Sequence, residues 1–395
     1  MSPDKGGILR KILSSPWTWG IVLLIVIRVL SVQLAFENIP FTNVTNGVFE
    51  DGGDGVSYYR ITNQILNGDF NYEPHFIGFF IFLAPILKIA GHDASFIEIS
   101  KLMAWVNGVG LYVMATILVW LLAWHILKSK KLAHVTSAIF LIYPYIFYYL
   151  FELFGSGSAT LEEFRISRFT QLNFLNVLSD PLSAVLGYAS LALLLYIVIR
   201  ERKLWVYVLT GFLLSFFVIT RTQNVFALLL FVPALLILKR YKGFIYFALA
   251  GLPLGILQLV ANYLSGGSTV ASPYSLYYGG ELHIQMFSLK YPLRLITYPL
   301  DHIPFLLLIE AVLVVLILYG LWKLIKEDKK LGLLVSGHLF FNIVPLLFIE
   351  SVMRNPRYFL TVIPIVFIIS MYSLKSLYLN YDRVKIKPEK IQNQI

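Results

Sequence analysis

Long apolar runs recur along this chain, and they limit it to very few kinds of fold. A helix needs about 20 consecutive apolar residues to cross a hydrocarbon core of about 30 Å, and the runs in this sequence reach that length repeatedly. The chain is 58% hydrophobic and only 14% charged, whereas soluble domains are about 25% charged. Because backbone groups in lipid must be hydrogen-bonded internally, continuous runs of this kind predict helices. We therefore expect an all-α polytopic membrane protein.

We expect residues 1–395 to form a single transmembrane domain with about ten membrane-spanning helices. In chain order, the expected spans cover residues 17–36, 98–126, 134–151, 181–199, 205–219, 225–238, 244–264, 303–321, 331–349 and 358–377. One further apolar segment, 75–90, is shorter, and we expect it to be a re-entrant or interfacial helix. Two large polar loops cover residues 37–75 and 265–302, and residues 380–395 form a basic tail that we expect to be disordered at its end.

Lysine and arginine are concentrated in short clusters, which membrane proteins keep on the cytoplasmic side. The clusters are Lys5/Arg10/Lys11, Lys128/Lys130/Lys131, Arg200/Arg202/Lys203, Lys239/Arg240/Lys242, Lys323/Lys326/Lys329/Lys330 and Arg383/Lys385/Lys387/Lys390. From Lys128 onward, two expected spans separate each cluster from the next, so that all of them can be cytoplasmic together. Both termini are then cytoplasmic, and the long polar loops lie on the outer face. Topology therefore explains the net charge of +10, and we expect no nucleic-acid partner.

Segment 75–90 decides whether this orientation holds along the whole chain. If 75–90 and 98–126 both crossed the membrane, the cluster that begins at Lys128 would lie outside. We therefore expect 75–90 to enter the outer leaflet and return to the outer face. Eleven full crossings are the alternative.

The densest acidic cluster lies in the first outer loop, in the stretch Phe49-Glu50-Asp51-Gly52-Gly53-Asp54-Gly55. A carboxylate at the membrane surface can act as a general base toward an acceptor hydroxyl, so Asp51, Asp54 and Glu50 are the candidate catalytic residues. Residues 56–66 follow with apolar side chains at loosely helical spacing, which predicts a short amphipathic surface helix. A solvated Gly-Asp turn is the alternative interpretation. No cofactor is certain; a divalent cation is a candidate, although the stretch lacks the alternating ligands of a calcium loop.

Other unusual polar residues gather on the same expected face. The candidate substrate-binding residues are Arg28, Glu73, His75, Asp180, Arg221, Arg357 and Tyr358. Arginine can hold phosphate oxygens through two parallel hydrogen bonds, which suits a lipid phosphate leaving group. Structural roles stay open for five of these residues, among them His75, which can be structural or interfacial, and Arg357, which can be an interfacial anchor. Asp180 can cap a helix, Arg221 can anchor a turn, and Arg28 can extend to the outer membrane surface.

Taken in order, these residues resemble the GT-C superfamily of glycosyltransferases, which use polyprenyl-phosphate-linked sugars. Within it, they resemble the protein O-mannosyltransferase and lipid A aminoarabinose transferase branch. Phe49-Glu50-Asp51 stands where the family has its acidic motif, with the two acids in the opposite order, and Asp54 is a second candidate. Residues 58–68 match the family's surface helix. Glu73-Pro74-His75 keeps part of the His-Pro-Pro or Lys-Pro-Pro element that follows.

Later segments continue the resemblance, which covers about residues 20–378. Ser179-Asp180-Pro181 matches an acidic residue that opens a middle span, and Thr220-Arg221 matches a basic residue that ends the next helix. Arg357-Tyr358-Phe359-Leu360, followed by Pro364, matches an Arg-Tyr-x-Leu-x-x-x-Pro element that opens a late span. Arg28 resembles a family arginine late in the first helix.

The resemblance implies an inverting glycosyltransferase that takes a sugar from a polyprenyl-phosphate or dolichyl-phosphate carrier. The sugar would be mannose-like or a modified pentose or hexose, and the acceptor a lipid, glycan or protein. Transfer would occur on the outer or lumenal face of a plasma membrane or ER-like membrane. Two other functions stay open: a transporter or flippase of lipid-linked sugars, and an oligosaccharide polymerase or ligase. No internal repeat supports a transporter, and polymerases usually have a larger late loop than 265–302.

Overall fold

A computed structural model of the chain describes residues 15–38, 54–70, 72, 75–91, 94–154, 169, 172–199, 203–266, 304–347 and 359–392. The structure is 89% helical, and no strand occurs among the described residues. The predicted all-α class is therefore confirmed.

The described helices coincide with the apolar runs in the sequence. In chain order they are α1 (Pro16–Asn38), α2 (Asp54–Leu66), α3 (Gly78–Ala90), α4 (Phe96–Trp105), a π-helix (Val106–Leu111), α5 (Tyr112–Leu127), α6 (Lys130–Phe154), α7 (Ser179–Ile199), α8 (Leu204–Thr220), a 3₁₀ helix (Thr222–Ala227), α9 (Leu228–Ile237), α10 (Tyr241–Gly266), α11 (Pro304–Glu327), α12 (Lys329–Leu347) and α13 (Ile363–Gln392). The α4, π and α5 segments follow one another without a break. Asp54–Leu66 covers the helix predicted for residues 56–66, and its position at the membrane surface stays a prediction.

Four of the described helical segments are long and apolar enough to cross a bilayer. They are Phe96–Leu127, Lys130–Leu150, Ser179–Ile199 and Tyr241–Ser265. Shorter apolar helices accompany them, among them Thr18–Leu34 and Leu204–Thr220. The chain is a helical membrane protein, and the number of ten crossings stays a prediction.

Helices α8 and α10 pack unusually close, because two glycines remove the side chains between them. A Cβ at Gly211 would collide with the backbone carbonyl of Phe247, and one at Gly251 would collide with the Ser215 hydroxyl. Small residues at helix contacts are a common device in membrane proteins, since they let backbones approach. The close contact brings the C-terminal half of α10 beside the end of α8, where the candidate site lies.

Two of the basic clusters lie at the same end of the helix bundle. Lys375 on α13 donates through Nζ to the backbone carbonyl of Leu127 at 2.7 Å, at the end of α5. Tyr372, one turn earlier, donates to the carboxylate of Glu327 at the end of α11. The clusters around Lys128 and Lys323 are thus neighbours, as the charge pattern predicts. Which side of the membrane holds them stays a prediction.

Helix α3 is too short to cross a bilayer upright. Its 13 residues rise about 20 Å, against a core of about 30 Å. Two adjacent residues of α2 contact the start of α3 and the segment after its end. The Tyr58 ring lies 4.9 Å from that of Phe79, and the Tyr59 hydroxyl donates to the carbonyl of Ala94 at 2.7 Å. Both ends of this segment therefore lie close to α2, and the re-entrant course of 75–90 stays a prediction.

The last helix is longer than the apolar run that begins it. The sequence predicts a basic tail from residue 380 with a disordered end. Helix α13 continues into this tail as far as Gln392, and residues 393–395 lie outside the described residues, so the disordered end stays a prediction. Once a helix is nucleated, each further residue loses conformational entropy for itself alone and gains one hydrogen bond. Extension of a helix is therefore easier than its initiation.

Candidate functional site

The described part of the acidic loop is attached to the start of α7 through helix α2. Asp54 is exposed and is the first residue of α2. At the next position a Cβ on Gly55 would lie 3.1 Å from the carbonyl oxygen of Val177, so the backbones are in close contact. One turn later, the Tyr58 hydroxyl lies 3.4 Å from the Ser179 hydroxyl. Asp54 is therefore held close to the first turn of α7.

That first turn contains Asp180, which forms an ion pair with Arg221. Arg221 lies in extended backbone between α8 and the 3₁₀ helix. The Asp180 and Arg221 side chains are only 4% and 11% exposed, so the pair is shielded from water. A carboxylate at a helix N-terminus is also favoured by the helix dipole. Two candidate residues that are 41 positions apart in the sequence therefore form one charged unit.

The His75 ring packs against the Tyr58 ring. The two ring centres are 6.1 Å apart in an edge-on arrangement. Gln258 of α10 forms hydrogen bonds with the backbone of the segment that carries His75. Its amide oxygen accepts from the Ile77 N–H at 3.0 Å, and its amide nitrogen donates to the His75 carbonyl at 3.2 Å and to Asn262 Oδ1 at 2.7 Å. Gln258 is buried. Sequence reasoning missed it, although an amide in an otherwise apolar span is a recognisable signal.

The segment that carries His75 lies directly against the end of α8. A Cβ on Gly78 would lie 2.6 Å from Thr220 Oγ1 and 2.8 Å from the carbonyl oxygen of Ile219. Only glycine permits this approach. Arg221 is the next residue after Thr220, so the His75 segment and the ion pair are close neighbours.

A second buried amide, Asn224, holds the turn after Arg221. Asn224 Nδ2 donates to Ser183 Oγ at 2.9 Å and to the carbonyl of Phe217 at 2.6 Å. One amide thus joins α7, α8 and the 3₁₀ helix behind Arg221. Asn224 is not recognisable as a site residue from the sequence, because its partners are far away along the chain.

Arg28 is fully buried, so it does not extend to the membrane surface. Its Nε donates to the Gly108 carbonyl at 2.6 Å, and its terminal nitrogens donate to Oδ1 and the backbone carbonyl of Asn173, each at 2.7 Å. The guanidinium also lies 3.7 Å from the centre of the Tyr112 ring. Gly108 belongs to the π-helix, a distortion often found at functional sites. These contacts connect α1 and the π-helix to the segment that leads into Asp180.

Five candidates lie outside the described residues: Glu50, Asp51, Glu73, Arg357 and Tyr358. The described residues that follow the last two pack into the bundle. The Tyr188 hydroxyl of α7 donates to the Leu360 carbonyl, and His338 Nε2 of α12 lies 3.2 Å from the Thr361 carbonyl.

Among the described residues no group of three or more His, Asp or Glu side chains could hold a metal ion. The acidic loop lies partly outside them, so the divalent cation stays a prediction. No protein-family model, curated protein or solved structure matches this chain. The structure itself therefore supplies the support for a function: α2 beginning at Asp54, His75, and the Asp180–Arg221 pair share one end of the bundle.

Proposed function

We propose that this protein is a membrane glycosyltransferase that takes a sugar from a polyprenyl-phosphate carrier. The observation that carries the proposal is the convergence of Asp54, His75 and the Asp180–Arg221 pair. A carboxylate can serve as the general base toward the acceptor, and a guanidinium can stabilise the leaving phosphate; an imidazole beside them can hydrogen-bond the substrate. In this proposal the site faces the outer or lumenal side, both termini are cytoplasmic, and 75–90 returns to the outer face.

In the proposed reaction, a carboxylate of the acidic loop removes the proton from an acceptor hydroxyl. Asp51 and Asp54 are the candidates for this base, with Glu50 beside them. The hydroxyl oxygen forms a bond to the anomeric carbon as the bond from that carbon to the phosphate oxygen breaks, with inversion. The polyprenyl phosphate leaves with the electron pair, and its growing negative charge is stabilised by arginine.

Arg221 is the described candidate for this stabilisation, and Arg357 is a second candidate outside the described residues. Asp180 orients Arg221, because a paired guanidinium has less rotational freedom than a solvated one. Asp180 is thus a positioning residue in the proposal, and His75 and Tyr358 line the sugar or phosphate pocket with Glu73. The acceptor is a lipid, glycan or protein.

The outward face of α10 supports a lipid-linked donor. Leu259 and Tyr263 are exposed and flank Gln258 and Asn262, which hold the His75 segment. A polyprenyl chain in the bilayer can follow this apolar surface to the site. A transporter of lipid-linked sugars would be expected to use a charge inside the membrane for its substrate. Arg28 gives this alternative less support, because its described hydrogen-bonding partners are Gly108 and Asn173 of the protein itself.

The test is sugar transfer by the purified protein with polyprenyl-phosphate-mannose and related donors. We expect transfer to fall at least about a hundredfold in Asp51→Asn or Asp54→Asn, whichever is the base. Asp69→Asn is the matched control, since Asp69 is an exposed carboxylate just after α2. Normal transfer by the double variant Asp51→Asn/Asp54→Asn would refute the catalytic assignment. Movement of the intact lipid across vesicles without transfer would favour the carrier.

Because the chain contains no cysteine, introduced cysteines report topology without background. Gly91→Cys and His92→Cys lie between α3 and α4. We expect a membrane-impermeant reagent to label them from the outer side. Labelling from the cytoplasmic side would contradict the re-entrant segment and favour eleven crossings.

A further inference from the structure

An open cleft of about 130 Å³ lies at the other end of the bundle from the candidate site. Its lining includes Lys128, Lys323, Glu327, Asp328, Lys375 and Leu379. The helical rod Phe96–Leu127 contains 32 residues and is about 48 Å long. Phe96 at its start contacts Tyr59 near the candidate site, and Leu127 at its end contacts Lys375 in the cleft.

The carboxylates in the cleft are already engaged. Glu327 accepts from the Tyr372 hydroxyl and lies 3.2 Å from Lys323 Nζ. Asp328 Oδ1 accepts from the backbone N–H of Leu331 at 3.1 Å and so caps the start of α12. Both carboxylates are therefore hydrogen-bonded within the structure, and three lysines of the lining, Lys128, Lys323 and Lys375, face these two acids.

Two further lysines line the cleft, and the charge of one of them, Lys375, also acts on Glu327. Lys375 Nζ donates to the Leu127 carbonyl, which uses one of the three N–H groups that a lysine carries. Lys128 faces the same cleft, and no carboxylate of the described residues forms an ion pair with it. The cleft therefore presents surplus positive charge and unused donors to an incoming anion.

Aromatic and basic side chains of the kinds found at the depth of lipid head groups lie on the helices that form the cleft. Lys130 lies over the ring of Trp124 at 5.4 Å, and Lys326 lies over that of Trp322 at 5.2 Å. Tryptophan is enriched at the membrane–water interface, and lysine extends toward it with its stem on apolar surface. Beyond Lys375, the α13 sequence continues with Arg383, Lys385, Lys387 and Lys390.

We infer that this cleft binds the phosphate head group of an anionic phospholipid, with Lys128 and Lys375 as its contacts. Basic pockets between transmembrane helices next to a polybasic segment suit such head groups. The exposed Leu379 side chain supplies an apolar contact for the start of the acyl chains. The inference concerns a site remote from the proposed sugar transfer and does not depend on it.

The experiment measures how much phosphatidylglycerol the full-length protein retains after purification, by native mass spectrometry. We expect the double variant Lys128→Gln/Lys375→Gln to bind phosphatidylglycerol about thirty-fold more weakly than the parent protein. This is the combined effect expected from the loss of two lysines near the membrane surface. The matched control is Lys203→Gln/Lys242→Gln, which removes the same charge from the α8 and α10 starts. Retention should be unchanged there, and an equal loss in both variants would overturn the site.

Two further measurements keep the inference testable if Lys375→Gln fails to fold. Glu327→Gln removes a negative charge from the cleft, so the retained phosphatidylglycerol should increase; a decrease would contradict the proposal. The shift in melting temperature with phosphatidylglycerol vesicles is then compared with that produced by inorganic phosphate. An equal shift with inorganic phosphate would assign the cleft to a free anion and overturn the lipid assignment.

Discussion

Arg221, at the end of α8, forms a buried ion pair with Asp180 in the first turn of α7. The pair connects α7 and α8 through two residues that are 41 positions apart in the sequence. Asn224 fixes the turn that follows Arg221 by donating a hydrogen bond to Ser183. Shielding from water strengthens the attraction but also removes the hydration of both charges. The consequence is a pair that tolerates the loss of both partners better than the loss of one.

Removal of either partner should therefore destabilise the fold. Asp180→Asn or Arg221→Gln should each lower the free energy of unfolding by about 3–5 kcal/mol, because one charge is left buried and unpaired. The double variant should lose less than the sum. The measurement is a double-mutant cycle by chemical unfolding in detergent. Lys323→Gln, in a more exposed pair, is the control and should cost about 1 kcal/mol or less. Strict additivity of the two single effects would mean that the pair is not coupled.

Gly78 should be intolerant of any side chain, since the space of its Cβ is occupied by Thr220 and Ile219. Gly78→Ala should cost about 1–3 kcal/mol through overpacking and reduce sugar transfer by displacing His75. Gly255→Ala, on α10, is the matched control. A Cβ there meets nothing within 4 Å, so helix propensity should make it neutral or stabilising by up to about 1 kcal/mol. Equal melting temperatures for the two variants would contradict this packing.

Arg28 should be essential for stability and should not tolerate lysine. Lysine lacks the planar fork that reaches Gly108 and both oxygens of Asn173. Arg28→Lys should cost at least about 3 kcal/mol, since hydrogen bonds from a charged group contribute about 1.5–3 kcal/mol each. Arg60→Lys, an exposed change on α2, should stay within about 0.5 kcal/mol. Thermal unfolding compares them. A stable Arg28→Lys protein with a raised KM for the donor would instead place Arg28 at the substrate.

Stability at the end of α11 should depend on pH through Glu327. The Tyr372 hydroxyl, with Lys323 beside it, lowers the pKa of Glu327 below its ordinary value. A depressed folded-state pKa stabilises the protein above the unfolded pKa, and this contribution is lost as the pH falls through the folded value. Tyr372→Phe should therefore be less stable than the parent at pH 7, and the difference should shrink on acidification below about pH 4. A difference that stays constant down to pH 3 would exclude this linkage.

Much of the fold was predictable because helices in lipid are specified locally. Each span needs only a continuous apolar run, and the described helices lie where those runs are. Helix α2 was likewise predictable from its amphipathic spacing. The length of α13 was not, because helix extension beyond an apolar run depends on propagation from the existing helix rather than on hydrophobicity.

The site was predictable only in part. Unusual polar residues next to the expected spans led to Asp54, Asp180 and Arg221, and the structure places them at one end of the bundle. The pairing of Asp180 with Arg221 was not visible in the sequence, nor was the hold of Gln258 on the His75 segment. Both depend on how distant helices pack, which a local pattern does not encode.

Sequence alone therefore determined that this is a helical membrane protein and where its helices lie. It also gave the expected side of the charged loops. Tertiary structure decided which polar groups meet: it buried Arg28 against Gly108 and Asn173, and it gathered Lys128 and Lys375 around one cleft. The reason is physical. Transfer of an apolar run into lipid is a property of that run, whereas a buried polar contact requires two groups, often more than a hundred residues apart, to satisfy each other.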